Sequence, residues 1–271
     1  MPTKRQGRSE KRLKNLKKQR GKYPVLLEKI IDTSDIILEI LDARFPEEMR
    51  NKDIEKRIKE KGKKVIYVLN KSDLTRKRDK ELDPQVFVSC KTRKGITELR
   101  NKIKREAVKI QKQGVYHRVQ VGVIGYPNTG KSSVINLLIG RASAKTGSEA
   151  GFTKGIQKLR LTGEIHLLDS PGVIPLDNYS MVNEKKIAHQ VKVGGTSYNQ
   201  VKNPEFSLNQ IIKGNKKEFE KFYKIKFDNV EDLIEKIGKR KNFLKKKGEI
   251  DEDRTARAIL KDWQDGKIEV E

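Results

Sequence analysis

The stretch from Val121 to Ile135, VGVIGYPNTGKSSVI, limits the possible folds more than any other part of the chain. A short apolar run ends at Gly125, and an apolar helical pattern begins after Gly130-Lys131-Ser132. A strand, then a glycine-bearing loop, then a helix is the context of a phosphate-binding loop. Its backbone N–H groups would surround a phosphate at the helix N-terminus, where the helix dipole favours an anion. A glycine-rich turn that binds nothing is the alternative, and the flanking elements argue against it.

Two side chains of this loop have a predicted chemical role. Lys131 would reach the β- and γ-phosphates of a nucleotide, and the Ser132 hydroxyl would bind Mg²⁺. We expect the nucleotide to contact a wider set of loop residues: Asn128, Thr129, Gly130, Lys131, Ser132 and Ser133.

The 271-residue chain carries a formal net charge of +25. Such an excess of Lys and Arg suits a polyanionic partner, because binding releases the counterions of the polyanion. Thermophilic enrichment in Lys and Glu raises the charged fraction but does not favour one sign. The single cysteine, Cys90, excludes an intrachain disulfide and a cysteine-rich zinc module. The sequence contains neither an apolar run of the roughly 20 residues that a membrane helix needs nor a signal-peptide core, so we expect a cytoplasmic protein without a membrane partner.

The first 23 residues form a basic arm. Met1–Tyr23 contains ten Lys or Arg and a single acid, Glu10, and its only aliphatic side chains are Leu13 and Leu16. Such a segment cannot bury a core of its own. We predict an arm that lies on RNA or DNA phosphates and is disordered without RNA. A solvated tail or a localisation signal is the alternative.

Apolar runs of strand length alternate with helical patterns through most of the chain. The alternation predicts an α/β fold, a doubly wound and mostly parallel six-stranded sheet whose ligand loops follow the carboxyl ends of the strands. We predict strands over Asp35–Arg44, Val65–Leu69, Val86–Val88, Val121–Ile124, Lys158–Leu161 and Ile165–Leu168. We predict helices over Pro24–Thr33, around Ile54 and Ile58, over Ile96–Ile110, and after the phosphate loop. From Val173 to about Lys202 the pattern is irregular, and beyond Pro204 it is helical.

Two predicted strands end in polar sequences that suit a guanine base. Asn70-Lys71-Ser72-Asp73 follows the second strand, and its Asp73 carboxylate would accept hydrogen bonds from guanine N1–H and the 2-amino group. The Asn70 amide would serve the N7/O6 edge, and the Lys71 stem would lie along the ring. Ser89-Cys90-Lys91 follows the third strand, and the Cys90 N–H would donate to guanine O6. Each pattern alone fits an ordinary loop, but beside a phosphate loop they predict a guanine-nucleotide site.

A third polar sequence, Asp169-Ser170-Pro171-Gly172, follows the last predicted strand. It would supply a carboxylate near Mg²⁺ and, from Gly172, an N–H near the γ-phosphate. The preceding stretch Arg141–Gly155 is rich in Ser, Ala, Gly and Thr and contains Thr153. We predict a mobile loop there.

The order of these motifs is informative, because the guanine-reading elements precede the phosphate loop, whereas in Ras-like GTPases they follow it. The same sheet can form with the chain cut elsewhere, since domain termini often lie close together. We therefore predict a circularly permuted P-loop GTPase domain (24–178) after the basic arm (1–23). A linker (179–203) and a smaller all-helical RNA- or ribosome-binding domain (204–271) would follow.

The chain resembles the YlqF/RbgA family of circularly permuted GTPases, whose relatives include the nucleostemin and Lsg-type GTPases. The resemblance rests on the motif order, on Asp42-Ala43-Arg44-Phe45-Pro46 followed by Arg50-Asn51, and more loosely on Asp253-Arg254-x-Ala256 through Gly266-Lys267-Ile268. It covers roughly Leu26–Ile268. It implies a GTP-hydrolysing ribosome biogenesis factor that acts on the large ribosomal subunit through rRNA contacts, with hydrolysis triggering release. We expect a monomer with no specific DNA partner, cytoplasmic or, in a eukaryote, nucleolar.

The resemblance also implies ligands and residue roles. GTP or GDP would bind with Lys131 on the β- and γ-phosphates and Gly172 at the γ-phosphate. Mg²⁺ would be held by Ser132 and Thr153, and by Asp169 through water. Lys131, Thr153 and Gly172 are thus the residues expected at the reacting phosphate.

Three further positions bear on catalysis. Asn128 matches an asparagine that helps to coordinate K⁺ in several such GTPases, and a loop-stabilising role is its alternative. Val173 stands where Ras-like enzymes place a water-orienting Gln, which implies slow hydrolysis that the ribosomal subunit stimulates. The N-terminal catalytic histidine of bacterial relatives has no counterpart, because the first histidine is His117.

Other functions fit parts of the sequence. An RNA-binding scaffold or RNA chaperone with a structural guanine nucleotide is the main alternative. A small-subunit assembly GTPase is another, but that branch resembles an OB-fold plus a zinc module that one cysteine cannot form. In the C-terminal region, Arg254, Arg257 and Lys261 would face rRNA, whereas Trp263 fits a core position better than a base-stacking one. Lys239-Arg240-Lys241 and Lys245-Lys246-Lys247 are either RNA contacts or solvated faces.

Overall fold

The computed structural model of the chain describes residues 25–75, 82–114, 117–140, 156–169, 184–246 and 248–270. The basic arm, the predicted loop with Thr153 and the segment with Gly172 and Val173 lie outside these residues. Helix α1 spans residues 25–33. The elements that follow are β1 (Ile36–Asp42), α2 (Pro46–Met49), α3 (Lys52–Glu60), β2 (Lys64–Asn70), β3 (Gln85–Phe87), α4 (Ile96–Lys112), β4 (Val119–Ile124), α5 (Lys131–Ile139), β5 (Gln157–Arg160), β6 (Ile165–Asp169), α6 (Glu184–Lys192), α7 (Pro204–Ile212), α8 (Lys216–Tyr223), α9 (Val230–Arg240) and α10 (Glu252–Gln264).

Six strands form one sheet in the order β3-β2-β1-β4-β6-β5. Neighbouring strands run parallel except β5, which pairs antiparallel with β6. Strands β1 and β4 are buried along their whole length, which is why their sequences are nearly continuous apolar runs. The predicted α/β fold with a mostly parallel six-stranded sheet is confirmed.

Helices cover both faces of the sheet. On one face, α4 presents Leu99 and Ile103 and α5 presents Val134 and Ile135, all fully buried against the strands. On the other face, α1 and α3 bury a smaller apolar cluster that includes Ile58. The apolar residues of these helices recur at helical spacing, so each helix has one face to bury and one to expose.

A third apolar cluster joins the carboxyl ends of β1 and β2 to the C-terminal helices. Leu41 and Leu69 belong to the same cluster as Trp263 of α10. The Trp263 ring is fully buried and stacks on Phe45 and Phe219, with ring centroids 5.7 Å and 5.5 Å apart. The predictions of a helical C-terminal region and of a core position for Trp263 are confirmed.

The prediction of irregular structure from Val173 to about Lys202 is wrong over Glu184–Lys192, where α6 forms. Its apolar residues Ile187 and Val191 are four positions apart and lie on one helical face, which packs into the third cluster. Lysines flank this pair, and the polar residues His189 and Gln190 lie between its members, which obscured the pattern. The domain boundaries remain predictions. Within the part of the chain that the structure describes, no helix combines the length and apolar character needed to cross a bilayer.

Candidate nucleotide-binding site

Strand register brings the predicted motifs to one edge of the sheet. Asp42 at the end of β1 pairs with Asn70 at the end of β2, and Val123 of β4 pairs with Asp169 at the end of β6. Because parallel strands end at the same edge, the loops that follow β2 and β4 lie at the same edge as Asp169, the last residue of β6, where a doubly wound sheet has its ligand site.

The loop between β4 and α5 requires glycine at two positions. Gly125 has a φ of +143°, and a Cβ on it would overlap the carbonyl oxygen of Ile40. Gly130 has a φ of +91°, and a Cβ on it would overlap the Asn70 amide nitrogen. Helix α5 begins directly after Gly130 without a side-chain cap. A helix N-terminus of this kind presents uncapped N–H groups to an anion.

The Lys131 amine lies over the same loop. Its Nζ donates to the carbonyl oxygens of Tyr126, at 2.6 Å, and Gly125, at 3.2 Å. Burial lowers the pKa of Lys131 to about 8, although the nearby Asp169 carboxylate favours the charged form. A buried amine whose hydrogen-bond acceptors here are neutral carbonyls would be stabilised further by phosphate oxygens, so the geometry fits the predicted contact with a nucleotide.

Ser132 and Asp169 are brought together by α5 and β6. The Ser132 hydroxyl donates to Asp169 Oδ2 at 3.3 Å, and Asp169 is fully buried at the end of its strand. A hydroxyl and a carboxylate are hard oxygen ligands of the kind that Mg²⁺ shares with nucleotide phosphates. These two residues therefore fit the predicted Mg²⁺ site. Thr153 and Gly172, predicted at the same site, lie outside the described residues.

Asn70 joins the phosphate loop to the loop after β3. Its Nδ2 donates to the Thr129 carbonyl oxygen at 2.7 Å, and its Oδ1 accepts from the Cys90 N–H at 3.3 Å. Asn70 is 2% exposed, so both bonds are shielded from water. The Asn70 amide and the Cys90 N–H thus bond to each other, and Asn70 holds the two loops together; the contacts of both residues with guanine remain predictions.

The predicted base-reading carboxylate is oriented by a neighbouring hydroxyl. Ser89 Oγ donates to Asp73 Oδ1 at 2.6 Å, and the same Oγ accepts from the Thr92 N–H at 3.1 Å. Ser89, 1% exposed, thus fixes Asp73 from the strand β3 side. Lys91 is exposed beside this group.

Lys71 occupies a left-handed conformation, with a φ of +60°, between Asn70 and Asp73. Its Nζ lies 2.9 Å from Asp42 Oδ2. Burial alone would raise the pKa of Asp42, but Arg44 and Lys71 together hold it well below its usual range. Asp42 has no predicted role in the sequence patterns above. An acid and a base two residues apart at the end of a buried, mostly apolar strand are the sequence signal that points to a buried ion pair.

Asn128, predicted to help coordinate K⁺, has a φ of +59° and its Nδ2 donates to the Gly194 carbonyl oxygen at 3.1 Å. The phosphate loop thereby contacts the segment that follows α6. This contact fits the loop-stabilising alternative, and the role in binding K⁺ remains a prediction.

Two of the three predicted RNA-facing side chains on α10 have intramolecular partners. Arg257 forms an ion pair with Asp253 at 2.7 Å and donates to the Tyr198 carbonyl oxygen at 2.8 Å. The Arg254 guanidinium lies 4.2 Å from the centroid of the Phe243 ring. Both side chains therefore help to fix the C-terminal fold, and their contact with rRNA remains a prediction.

A comparison with protein-family models matches residues 120–227 to the family described as "50S ribosome-binding GTPase". Among curated proteins, an uncharacterised GTP-binding protein of Methanocaldococcus jannaschii is 43% identical over 91% of this chain and 66% of its own length. A guanine nucleotide-binding protein-like protein of Arabidopsis thaliana is 32% identical over 92% of this chain and 48% of its own length. A nucleolar GTP-binding protein of Pneumocystis carinii is 33% identical over 89% of this chain and 52% of its own length. The chain thus spans between about half and two thirds of the length of these relatives.

Solved structures support the fold. YlqF of T. maritima in its GNP-bound form superposes with a TM-score of 0.61 at 20% identity, over 91% of this chain and 94% of YlqF. Its GDP-bound structure gives a TM-score of 0.54 over 89% of this chain. YlqF is a circularly permuted GTPase, and the motif order here, with the segments after β2 and β3 preceding the phosphate loop, is the same. Residues 120–227 thus match the 50S ribosome-binding GTPase family, and the chain has the circularly permuted motif order of YlqF.

Proposed function

We propose that this protein hydrolyses GTP to GDP and phosphate and acts on the large ribosomal subunit through rRNA contacts, with hydrolysis triggering its release. The observation that carries the proposal is the hydrogen bond from Asn70 Nδ2 to the Thr129 carbonyl oxygen. It supports the proposal because it links the predicted guanine-reading segment to the phosphate loop, so that a single guanine nucleotide would contact both.

In the proposed GTP complex, the N–H groups of the phosphate loop and the Lys131 amine bind the β- and γ-phosphates. They lie where negative charge accumulates as the bond between the γ-phosphorus and the bridging oxygen breaks. A bound Mg²⁺ would neutralise part of this charge, held by Ser132 and Thr153 and, through water, by Asp169. Asp73 reads the base, and Gly172 donates to the γ-phosphate. Val173 has no group that orients water, so we propose slow hydrolysis in the free protein.

The partner is inferred from charge and from relatives. A net charge of +25 favours a polyanion such as rRNA, and several relatives carry names that describe them as nucleolar GTP-binding proteins. We propose cytoplasmic location, or nucleolar location in a eukaryote.

A subunit-binding experiment tests this function. Purified large ribosomal subunits are incubated with the protein and either a non-hydrolysable GTP analogue or GDP, and bound protein is measured by sedimentation. GTP hydrolysis is measured with and without subunits. We expect retention with the analogue, release with GDP, and turnover at least about tenfold faster with subunits. Equal binding in both nucleotide states with unchanged turnover would instead support a scaffold whose nucleotide is structural.

A further inference from the structure

The segment that follows β2 pairs with the C-terminal end of the chain. The Val270 N–H donates to the Leu74 carbonyl oxygen at 3.0 Å, and Thr75 and Val270 form a parallel β-bridge. Gly266, with a φ of +71°, packs so closely on Leu74 that a Cβ at residue 266 would overlap Leu74 Cδ1. Leu74 is the residue directly after Asp73, so these contacts fix one flank of the predicted base-reading residue.

A buried chain of polar contacts fixes the other flank. Lys71 Nζ lies 2.9 Å from Asp42 Oδ2, and Arg44 donates to both oxygens of the same carboxylate at 3.0 Å and 2.8 Å. The remaining terminal nitrogen of Arg44 donates to the Trp263 carbonyl oxygen at 3.2 Å. The Arg44 and Asp42 side chains are 2% and 3% exposed, so water does not replace these contacts cheaply.

Asp73 therefore lies between two residues, Lys71 and Leu74, whose positions are fixed by contacts with C-terminal residues. Lys71 is anchored through Asp42 and Arg44 to Trp263, and Leu74 is anchored to Gly266 and Val270. A carboxylate that accepts two parallel hydrogen bonds from a base edge needs a defined plane and direction, because such bonds weaken steeply with angle. Shifting either flank would rotate that plane.

We propose that the C-terminal segment Trp263–Val270 is a positioning element of the guanine site, which holds residues 71–75 so that the Asp73 carboxylate meets the 2-amino group of guanine. The inference rests on the proposed assignment of Asp73 to the base. It predicts that changes in a segment distant in sequence alter base selectivity more than they alter overall nucleotide binding.

The readout is the ratio of the dissociation constants of IDP and GDP, since hypoxanthine lacks the 2-amino group and is otherwise the same base. Two variants of the full protein disturb the segment: removal of residues 269–271, which deletes the Val270 donor, and Gly266→Ala, whose methyl group would overlap the Cδ1 atom of the buried Leu74 side chain. We expect the ratio to fall by about fivefold in each, mainly through weaker GDP binding, as for loss of a charged hydrogen bond. A general loss of structure would weaken GDP and IDP equally and leave the ratio unchanged.

Gly248→Ala is the matched control. Gly248 also has a left-handed φ, +82°, but a Cβ there would meet no atom within 4 Å. Both alanine variants therefore bear the same backbone strain, and only Gly266→Ala displaces Leu74. Adding Leu74→Val to Gly266→Ala removes the Cδ1 atom that the new methyl would overlap, so we expect the double variant to recover part of the selectivity.

The outcomes separate this inference from the proposed function. If Asp73→Asn leaves the ratio unchanged, the assignment of Asp73 to the base is wrong, and the positioning role fails with it. If Asp73→Asn abolishes guanine selectivity while the truncation and Gly266→Ala keep the wild-type ratio, only the positioning role is overturned. If Gly248→Ala lowers the ratio as much as Gly266→Ala, the effect is general strain, and the positioning role is again overturned.

Discussion

Gly130 and Asn70 lie so close that any Cβ at residue 130 would overlap the Asn70 amide nitrogen. The backbone of the phosphate loop therefore packs against a side chain of the predicted guanine-reading segment, with no room for a methyl group between them. This relationship makes the glycine a requirement of the site, in addition to its left-handed φ.

Gly130→Ala should reduce GDP affinity by at least about tenfold, because the methyl group would break the bond from Asn70 Nδ2 to the Thr129 carbonyl oxygen. Titration with a fluorescent guanine nucleotide measures the loss. Gly140→Ala is the control, since Gly140 has a similar φ of +80° and open space around it. Similar losses of GDP affinity in the two variants would mean that backbone strain at a left-handed φ, and not overlap with Asn70, causes the loss.

Lys131→Met should change the pH dependence of stability in the nucleotide-free protein. The folded-state pKa of about 8 lies below the ordinary 10.5, so between these values the unfolded chain binds more protons and this residue makes stability rise with pH. The difference in unfolding free energy between pH 8 and pH 10 should be smaller in the variant, by on the order of 2 kcal/mol. Denaturant unfolding at both pH values measures it. GDP should abolish the difference, because phosphate oxygens keep the amine charged; persistence of the difference with GDP bound would argue against the phosphate contact.

Glu39 should make the stability of the protein fall with rising pH, the opposite of the effect of Lys131, and Glu39→Gln should remove that fall. Glu39 lies in the middle of β1, 2% exposed, and its Oε1 accepts from the Asn51 N–H at 3.4 Å. Burial, reinforced by the charge of Glu55, raises its pKa to about 8 against a weaker opposing effect of Arg50. The folded state therefore binds the extra proton between about pH 4.5 and 8, and the stability that the neutral acid provides is lost as pH rises through 8.

The glutamine variant keeps a neutral side chain of similar shape. Its unfolding free energy should fall less than that of the wild type between pH 5 and pH 8, by on the order of 3 kcal/mol. Glu98→Gln, at an exposed acid of α4, serves as the control for the removal of one negative charge. Parallel pH profiles for wild type and Glu39→Gln would show that Glu39 is ionised in the fold.

Asp73→Asn should shift the preferred base from guanine to xanthine. The amide replaces one acceptor oxygen with a donor that suits the C2 oxygen of xanthine. Competition between GDP and XDP, with ADP in parallel, measures the change, and we expect the XDP:GDP affinity ratio to rise by at least about tenfold. Unaltered GDP affinity in this variant would show that Asp73 does not contact the guanine base.

Deletion of Met1–Tyr23 should flatten the salt dependence of RNA binding. For every phosphate that the arm neutralises, its removal should lower the slope of log affinity against log salt by about 0.7 to 0.9. Filter binding at several salt concentrations gives the slope. An arm with the same composition in scrambled order should retain the wild-type slope, because counterion release depends on charge. An unchanged slope after deletion would exclude the arm from phosphate binding.

Most of the sheet can be predicted from the sequence, because each strand is determined mainly by residues that are close together in the chain. The strand patterns and the loop that follows Gly125 are set by neighbouring residues, and each predicted strand is present. The structure brings Lys131 to the Tyr126 carbonyl oxygen and Ser132 to Asp169, and the contacts of Lys131 and Ser132 with a nucleotide and Mg²⁺ remain predictions.

The contacts between distant segments are not predictable in the same way. Arg44 reaches Trp263, 219 positions later in the chain, and no period or spacing in the sequence encodes that pair. The sequence places Lys71 along the base, but its ion-pair partner is Asp42, whose burial at the end of β1 emerges only when the sheet and the C-terminal helices are assembled.

The buried stack of Phe45, Trp263 and Phe219 has a practical consequence. Trp263 is the only tryptophan in the chain, and its indole lies where the sheet meets the C-terminal helices. Intrinsic emission excited at the indole band thus comes from one place, and a red shift would register the parting of these two layers without any added label. Trp263 fluorescence is thus an intrinsic probe of the interface between the sheet and the C-terminal helices.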